Sequence, residues 1–452
     1  MAHGASAGPR FWTLVWGLGL TGQLCWCVEN QWFNTFVYAH IAKNAMIVMA
    51  MVMTSALVST FATFFFGTLS DRRGARRRFV AVGYILWGLC TIGFGLTQFL
   101  NTGRVGDGTK VSLVVVLVVV LADDVMSFFG SMANDAGYNA WTNDHTTDRN
   151  RGQIGAALAL SPVFGTIVGT VAGGALIGAH DDYQRLFWTI GGVVIVMGVL
   201  SLVFLRDAPA LAPYEQGRFW SQFAAVFDFA EFGRRWELLL SACVATVYFI
   251  SFNVYFLYLG TLMIYYMGFT AAQVGYLQGG GLIVAMLLAW PTVGLINRQK
   301  VPVVVAIALG LNVAGLWLLY AMARPGRIDV ARVLSATNVP LALGVFLVGV
   351  AYVLVMQTVT VWVKQLYPEK TRGQFEGVRL VFFMLIPMLA GTGLGSLIVT
   401  TGAGTVTDAN GITANIPTES IFFWAAWIAL LAFVPLYFAG KLYYARARAV
   451  PA

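Results

Sequence analysis

The chain has 452 residues, of which 58% are hydrophobic and 11% are charged, and its mean hydropathy is +0.75. A soluble globular domain carries about 25% charged residues, so this composition excludes one and predicts a chain surrounded mainly by lipid. The net charge of +8 falls in short segments between apolar runs, which is typical of membrane topology and not of nucleic-acid binding.

Twelve apolar runs follow one another, each long enough to cross about 30 Å of hydrocarbon as a helix. We number them span 1 to span 12, and they cover 11–38, 45–69, 79–100, 111–141, 153–178, 184–205, 237–267, 271–296, 301–323, 339–364, 373–401 and 418–440. This order predicts an all-α membrane protein with twelve transmembrane helices. Of the 28 Lys and Arg residues, 20 lie on the side of the termini and 7 on the other side, so both termini are predicted to be cytoplasmic.

Span 1 carries polar residues within its apolar sequence LCWCVENQWFNTF. Glu29 is the acidic one, flanked by Asn30, Gln31 and Asn34. An ionised carboxylate inside a membrane is costly and by default marks an ion or substrate pathway, so Glu29 is a candidate proton or substrate site. The alternative is a polar outer end of the span that only caps helix packing.

The connection after span 2 reads GTLSDRRGARRR and holds five arginines. It closely resembles the G-x-L-x-D-R-x-G-R-R loop of the major facilitator superfamily, with Ala75 as the one departure. The matching residues are Gly67, Leu69, Asp71, Arg72, Gly74, Arg76 and Arg77. Glycine permits a tight turn, and Asp71 can cap a helix or pair with an arginine, so the loop is a candidate conformational latch. The alternative is that the arginines only set the topology.

Span 4 contains three carboxylates, Asp123, Asp124 and Asp135, in or beside a strongly apolar run. At 3.6 residues per turn, Asp124 and Asp135 lie on one helix face about 16 Å apart. The same face carries Phe128, Ser131 and Tyr138. This face is the predicted cavity wall, and Asp123 points about 100° away from it. Asp124 and Asp135 are candidates for cation coupling or substrate binding, with a structural hydrogen-bonding role as the alternative.

A short internal repeat divides the chain. TDRNRGQ and PEKTRGQ stand 221 residues apart, and the same offset pairs Trp141 with Trp362 and Asp135 with Met356. The predicted domains are a first six-helix half, 1–205, a cytoplasmic linker with an amphipathic helix, 206–236, and a second six-helix half, 237–452. Parallel halves with a solute site between them are the architecture of one transporter class, which works by alternating access.

Two further segments narrow the resemblance within the superfamily. DAGYNAWTNDHTTDRNRG and LYPEKTRGQFEG are similar to loops of the glycoside, pentoside and hexuronide cation symporters, the branch that contains melibiose permease. The resemblance implies a major facilitator fold and cation-coupled uptake of a sugar. Of that branch's acidic ligands, only the helix 4 acid carries over, as Asp135. Ser59 and Thr63 stand where two sodium-binding aspartates are expected, and Leu24 and Leu160 replace sugar ligands, so the coupling cation is predicted to be H⁺ more than Na⁺.

The second half offers neutral polar and aromatic side chains, which suit a sugar because they combine hydrogen-bonding groups with flat apolar faces. The candidate cavity residues there are Tyr248, Asn253, Tyr255, Tyr258, Gln273, Tyr276, Gln278, Gln357, Thr358 and Trp362. The alternative for each is helix packing or an interfacial position. Glu376 and Arg379 are three residues apart and are predicted to neutralise each other as a structural pair or gate. The histidines and the four cysteines suggest neither a metal site nor a disulfide.

The sequence therefore predicts a secondary active transporter of the cytoplasmic membrane that works as a monomer, with no enzymatic activity and no cofactor. Its expected partners are a small polar solute, such as a sugar or glycoside, and the lipid bilayer. Cation-coupled symport by alternating access is the predicted mechanism. A facilitator-type exporter of a drug-like or lipid-like substrate is the alternative.

Overall fold

The computed structural model describes residues 8–100, 112–147, 150–178, 181–209, 211–214, 217–224, 229–289, 300–333, 335–367, 377–407 and 413–449. Its long helices, in chain order, are α1 Pro9–Ile41, α2 Ala45–Arg73, α3 Arg77–Leu100, α4 Leu113–Asp144, α5 Gln153–Ile177, α6 Tyr183–Phe204, α7 Trp236–Tyr266, α8 Ala271–Ala289, α9 Val301–Met322, α10 Ala336–Gln365, α11 Gly377–Thr401 and α12 Ser420–Arg446. In their described residues, all except α8 are long and apolar enough to span a membrane, which makes 11. The rest of span 8 lies outside the described residues. The helical membrane architecture is thus confirmed, and the count of twelve spanning helices remains a prediction.

Polar side chains define several helix starts. Asn44 begins α2 by accepting a hydrogen bond from the Met46 N–H at 2.9 Å. Ser112 begins α4 in the same way, through the Val114 N–H at 3.3 Å. Such caps satisfy backbone donors that have no partner within the helix, so the connections fix where these apolar helices start.

The helices pack as two groups. In the first group, α1 to α6, α3 contacts α6, α1 contacts α5, and α2 contacts α4. In the second group, α7 to α12, both α7 and α9 contact α12, α10 contacts α9, and α11 contacts α7. Contacts of α5 with α8 and of α2 with α11 join the groups. Gly275 lets α8 approach α5 closely, because a Cβ there would lie 2.6 Å from the Thr170 carbonyl oxygen. The exact boundaries of the predicted halves remain a prediction.

Several long helices contain π-helical turns, in which hydrogen bonds to the fifth residue widen the helix and change which side chains share a face. In the described residues these turns are Glu29–Phe33 and Val37–Ile41 in α1, Ser131–Tyr138 in α4, Leu262–Tyr266 in α7 and Val381–Leu385 in α11. Both Glu29 and Asp135 therefore lie on π-helical turns.

The linker contains two short helices, Phe219–Ala224 and Phe229–Gly233. The first packs its aromatic rings on α2, with the Phe219 ring centroid 5.3 Å from that of Phe65. Trp220 on the same short helix is exposed. The segment that the sequence predicts to be amphipathic therefore has one apolar face against the first group of helices.

Two short antiparallel strands, β1 Thr405–Thr407 and β2 Thr413–Asn415, follow α11. They are paired in the register Thr405 to Asn415. The sequence reasoning did not anticipate them, and the fold is otherwise helical in the described residues.

Candidate functional site

A cavity of about 2070 Å³ lies between the two groups of helices. We call the face at which α2, α4, α10 and α12 end the basic face, because most Lys and Arg residues are predicted to lie there. The cavity wall includes residues at that face, such as Asn143, Gln365 and Arg446. On the other side the wall reaches residues such as Asn30 of α1, Leu259 of α7 and Gln278 of α8, each seven or more residues from the end of its helix. The cavity therefore opens at the basic face and is closed at the opposite face.

Two carboxylates lie in the cavity wall of the first group. Asp135 accepts hydrogen bonds from the Ser131 hydroxyl at 3.2 Å and from the Asn134 amide at 3.4 Å. Glu29 is buried, and its Oε1 accepts a hydrogen bond from the Ser127 hydroxyl at 2.7 Å. Neither carboxylate forms an ion pair within the described part of the chain. The two acids thus have no ion-pair partner among the described residues, although Lys364, Arg379 and Arg446 also line the cavity. Carboxylates without such a partner inside a membrane are the costly arrangement expected at an ion pathway.

The π-helical turn of α4 changes the face on which Asp135 lies. The residues of α4 that line the cavity are Asp135, Ala136, Asn139, Ala140 and Asn143. The spacing of 135, 139 and 143 is one turn each, so a polar stripe through Asn139 and Asn143 was visible in the sequence and was missed.

The other residues of the predicted stripe do not line the cavity. Phe128 packs on Phe66 with a centroid distance of 5.0 Å, and the Tyr138 hydroxyl donates to the Val15 carbonyl at 2.7 Å. Ser131 is buried beside Asp135. Asp124 is half-buried and faces Thr54 of α2. A continuous α-helical spacing was assumed for this wall, and the wider π-helical turn breaks that spacing.

Helix α2 gives the cavity a row of hydroxyl groups. Ser55, Ser59 and Thr63 all line it, and the last two stand where the branch resemblance expects sodium-binding aspartates. The Thr63 hydroxyl donates to the Ser59 carbonyl at 2.8 Å. Leu160 of α5 also lines the cavity, so an apolar side chain occupies the wall where the branch has an arginine.

The second group contributes a wall of amide and aromatic groups. Of the candidates named from the sequence, those in the wall are Asn253, Tyr255, Gln278 and Gln357. Phe252 and Tyr352 also line it, with ring centroids 5.2 Å apart in a stacked arrangement. Tyr248 is buried outside the wall. The Trp362 indole N–H instead donates to the Glu237 carboxylate at 3.0 Å.

A hydrogen-bonded bridge closes the cavity at its deepest point. The Gln31 amide of α1 donates to the Gln278 carbonyl oxygen of α8 at 2.7 Å, and the Thr170 hydroxyl of α5 donates to Gln31 at 2.9 Å. The Asn34 amide donates to the Leu257 carbonyl of α7 at 3.2 Å. The Gln31–Gln278 and Asn34–Leu257 bonds join the two groups of helices on the side away from the basic face.

The predicted latch is centred on Arg76, which is buried. Its guanidinium donates to Asp144 at 2.8 Å, and to Asp71 and Ser70 at 2.5 Å each. Burial by itself lowers the pKa of Arg76, but the hydrogen bonds and charges of Asp144 and Asp71 outweigh it, so the pKa is raised. The Asp207 carboxylate accepts the backbone N–H of Arg76 at 2.9 Å. The loop is thereby fixed to the end of α4 and to the segment after α6.

Other latch residues surround this centre. Gly74 has φ 56° and ψ 39°, a left-handed conformation that favours glycine. Arg72 donates to the Gly217 carbonyl at 2.9 Å in the linker, and the Arg77 guanidinium donates to the Leu202 carbonyl of α6. Gly67 faces the cavity, with open space where a Cβ would lie.

The second predicted latch pair is only partly described. Arg379 lines the cavity and places its guanidinium 5.3 Å from the centre of the Phe383 ring. Glu376 lies outside the described residues. In the described part of the chain, no group of three or more His, Cys, Asp or Glu side chains is arranged to hold a metal ion.

Two groups of membrane helices with a cavity between them, open at one face, are the architecture of polytopic membrane transporters. The chain belongs to the Major Facilitator Superfamily, whose family model matches residues 29–390. The superfamily resemblance of the loop after α2 is thus confirmed, and members of this family are transporters and not enzymes. No curated protein matches the chain.

Solved structures share the fold. A D-xylose-proton symporter matches with a TM-score of 0.69 and 14% identity, over 94% of this chain and 96% of that chain. The nucleoside transporter NupG matches with a TM-score of 0.58 and 12% identity, over 95% and 99%. A bacterial homologue of the human lysosomal transporter Spinster, solved in an inward-facing and unoccupied conformation, matches with a TM-score of 0.63 and 15% identity, over 99% and 100%. At these identities the likeness shows the fold alone.

Proposed function

We propose that the protein is a proton-coupled symporter that imports a small polar solute, such as a sugar or glycoside, by alternating access. The observation that carries this proposal is the placement of Asp135 and Glu29 in the wall of a cavity open to one face, without an ion pair in the described residues. A carboxylate in such surroundings is stabilised by binding a proton. A change in cavity access then allows the proton to be loaded on one side and released on the other.

The cavity lining supports a solute with hydroxyl groups. The cavity wall combines amide groups of Asn139, Asn253 and Gln357 with aromatic rings such as Tyr352, and sugars present hydroxyls at their rim and C–H groups on their faces. The branch of glycoside, pentoside and hexuronide symporters remains part of this proposal. Ser59 and Thr63 favour H⁺ over Na⁺ because they supply no charge. We place the protein in the cytoplasmic membrane, with cytoplasmic termini and as a monomer.

An exporter of a drug-like or lipid-like substrate is the second candidate. It is favoured by the apolar part of the second wall, which includes Phe256, Met384 and Met388. The cavity volume of about 2070 Å³ also exceeds the 300–1,000 Å³ or so of most small-ligand pockets.

Uptake into proteoliposomes under an imposed pH gradient tests the proposal. We expect a sugar panel to contain at least one solute whose accumulation follows the gradient. Asp135→Asn should abolish accumulation and spare solute exchange. Asp181→Asn is the matched control, because Asp181 is an exposed carboxylate outside the cavity with φ 53°, a conformation that asparagine tolerates. Gradient-independent uptake of every solute, or accumulation that survives Asp135→Asn, contradicts the proposal. Gradient-driven efflux of apolar dyes supports the second candidate.

A further inference from the structure

A second carboxylate lies behind Glu29, away from the cavity. Asp123 of α4 is 1% exposed and Glu29 of α1 is 7% exposed. Ser127, one turn after Asp123 on α4, donates its hydroxyl to Glu29 Oε1 at 2.7 Å, so Asp123 and Ser127 face α1 together.

Each of these two carboxylates has an oxygen without a partner. Glu29 Oε2 and Asp123 Oδ1 are buried, and neither accepts a hydrogen bond from any residue that the structure describes. A buried acceptor without a partner calls for an explanation, and a proton held at the carboxyl or a bound water is one.

A buried donor beside the two acids is also unsatisfied. The Trp87 indole N–H of α3 is buried and has no acceptor among the described residues. Its ring contacts Trp26, one turn before Glu29, at a centroid distance of 5.0 Å. A Cβ at Gly130, one turn after Ser127, would lie 3.1 Å from Trp87 Nε1. The donor therefore lies one helical turn from the contact between Ser127 and Glu29.

The groups that surround the two acids do not balance two negative charges. The titratable group from α1 is the Cys25 thiol, and those from α4 are Asp124 and Asp135. From α2, Ser55 faces Asp123. From α3 come the Trp87 indole and the Tyr84 phenol, and Tyr84 donates to the Leu18 carbonyl at 2.8 Å. All of these groups are neutral or acidic.

We propose that Glu29 and Asp123 form a carboxyl pair that retains one proton, as a site separate from Asp135. Two carboxyls that share a buried site do not ionise together, so one of them keeps its proton. Glu29 lines the cavity and exchanges this proton with cavity water. The O–H bond on Glu29 breaks as an O–H bond forms on Asp123, or on a cavity water that returns another proton to the pair, so the pair keeps one proton and a single negative charge.

Proton counting tests the pair without any solute. The full-length protein in nanodiscs is denatured at neutral pH in weak buffer, and the released protons are measured with an indicator dye. We expect the wild type to release about one proton per molecule more than the double variant Glu29→Gln with Asp123→Asn. A difference of zero or of two protons overturns the proposal. Asp181→Asn should release the same number as the wild type.

Infrared difference spectroscopy gives a second measurement that does not require unfolding. The wild type should show a buried carboxylic acid C=O band that shifts in D₂O. We expect Ser127→Ala, which keeps both carboxyls, to shift the frequency of this band, and Asp135→Asn to leave it in place. An acid band that survives unchanged in the double variant Glu29→Gln with Asp123→Asn, or one that Na⁺ abolishes at constant pH, assigns the site differently and overturns the proposal.

The inference rests on the proposed function only for its use in transport. Gradient-driven uptake by a protein whose proton count does not change in the double variant leaves symport standing and removes the pair. If the proton count shows the pair but uptake ignores the pH gradient, the pair stands and proton-coupled symport is removed.

Discussion

Replacement of Arg76 by glutamine should destabilise the connection between α2 and α3. The Arg76 side chain is 6% exposed, whereas those of its partners Asp71 and Asp144 are 44% and 22% exposed. Breaking a fully buried ion pair costs about 3–5 kcal/mol. Water can reach the two aspartates, so we expect a lower cost of about 2–3 kcal/mol, comparable to one charge-assisted hydrogen bond. For a folding unit of 150–250 residues this corresponds to an apparent Tm lower by about 4–12 °C.

Thermal unfolding in detergent measures this effect, with Arg78→Gln as the matched control. Arg78 is an exposed arginine two positions along the same loop, and its replacement should change stability by about 0.5 kcal/mol or less. Equal losses of Tm in both variants would refute the reasoning, because they would assign the effect to net charge. The raised pKa of Arg76 also fixes how its contribution to the free energy of unfolding depends on pH. That stabilisation is fully present below the unfolded-state pKa and is lost only above the folded-state pKa. The loss should therefore be constant between about pH 6 and pH 9, far below an arginine pKa.

Two further substitutions test the local geometry. Gly74→Ala should destabilise by about 1–3 kcal/mol in the same unfolding assay, because φ is 56° and a Cβ would lie 2.6 Å from the Pro213 nitrogen. Gly217 has φ 64° with open space where a Cβ would lie, so Gly217→Ala measures backbone strain without steric overlap. A smaller loss of stability in Gly217→Ala than in Gly74→Ala is expected, and equal losses would contradict the overlap at Gly74. Gln278→Leu removes the 2.7 Å bond to Gln31 and should shift the population away from the conformation open at the basic face by about 2- to 13-fold. Spin-label distances across the opposite face would show a longer component, and an unchanged distribution would contradict a closing role for this bond.

The loop after α2 was predictable from the sequence because much of its chemistry is local. Asp71, Gly74 and Arg76 lie within six residues, and a left-handed glycine together with a short-range ion pair can be inferred from that spacing. The contacts of Arg76 with Asp144 and Asp207 could not be inferred, because they depend on how α4 and α6 end beside the loop. The sequence thus indicated a latch and did not indicate what it is attached to.

The cavity wall of α4 was harder to predict because it depends on helix geometry. A spacing of 3.6 residues places Phe128, Ser131 and Tyr138 beside Asp135, and the π-helical turn Ser131–Tyr138 moves them away from the cavity. Propensity and periodicity give no signal for such a turn. The strands after α11 are a different case: Asn410-Gly411 stands between β-branched residues in the sequence, a pattern typical of a hairpin, and the apolar context led us to overlook it.

The offset of 221 residues links two tryptophans whose contacts in the structure are alike. The Trp141 indole N–H donates to the Arg206 carbonyl at 2.7 Å, just after the end of α6. The Trp362 indole N–H donates to Glu237, which also accepts hydrogen bonds from Arg446 at 2.9 and 3.0 Å, at the end of α12. The same side chain therefore links the fourth long helix of each set of six to the end of the sixth, directly in the first set and through Glu237 at the start of α7 in the second.

The same offset also shows where the two sets differ. Asp135 and Met356 correspond in the repeat, and both line the cavity. Glu29 and Asp123 also belong to the first set of helices. The structural tie is thus common to both sets, whereas the carboxylates that could move a proton lie in the first and face an amide and aromatic wall in the second. A solute that contacts both walls would bind against the second and sense the protonation state of the first, which is the geometry that coupling requires.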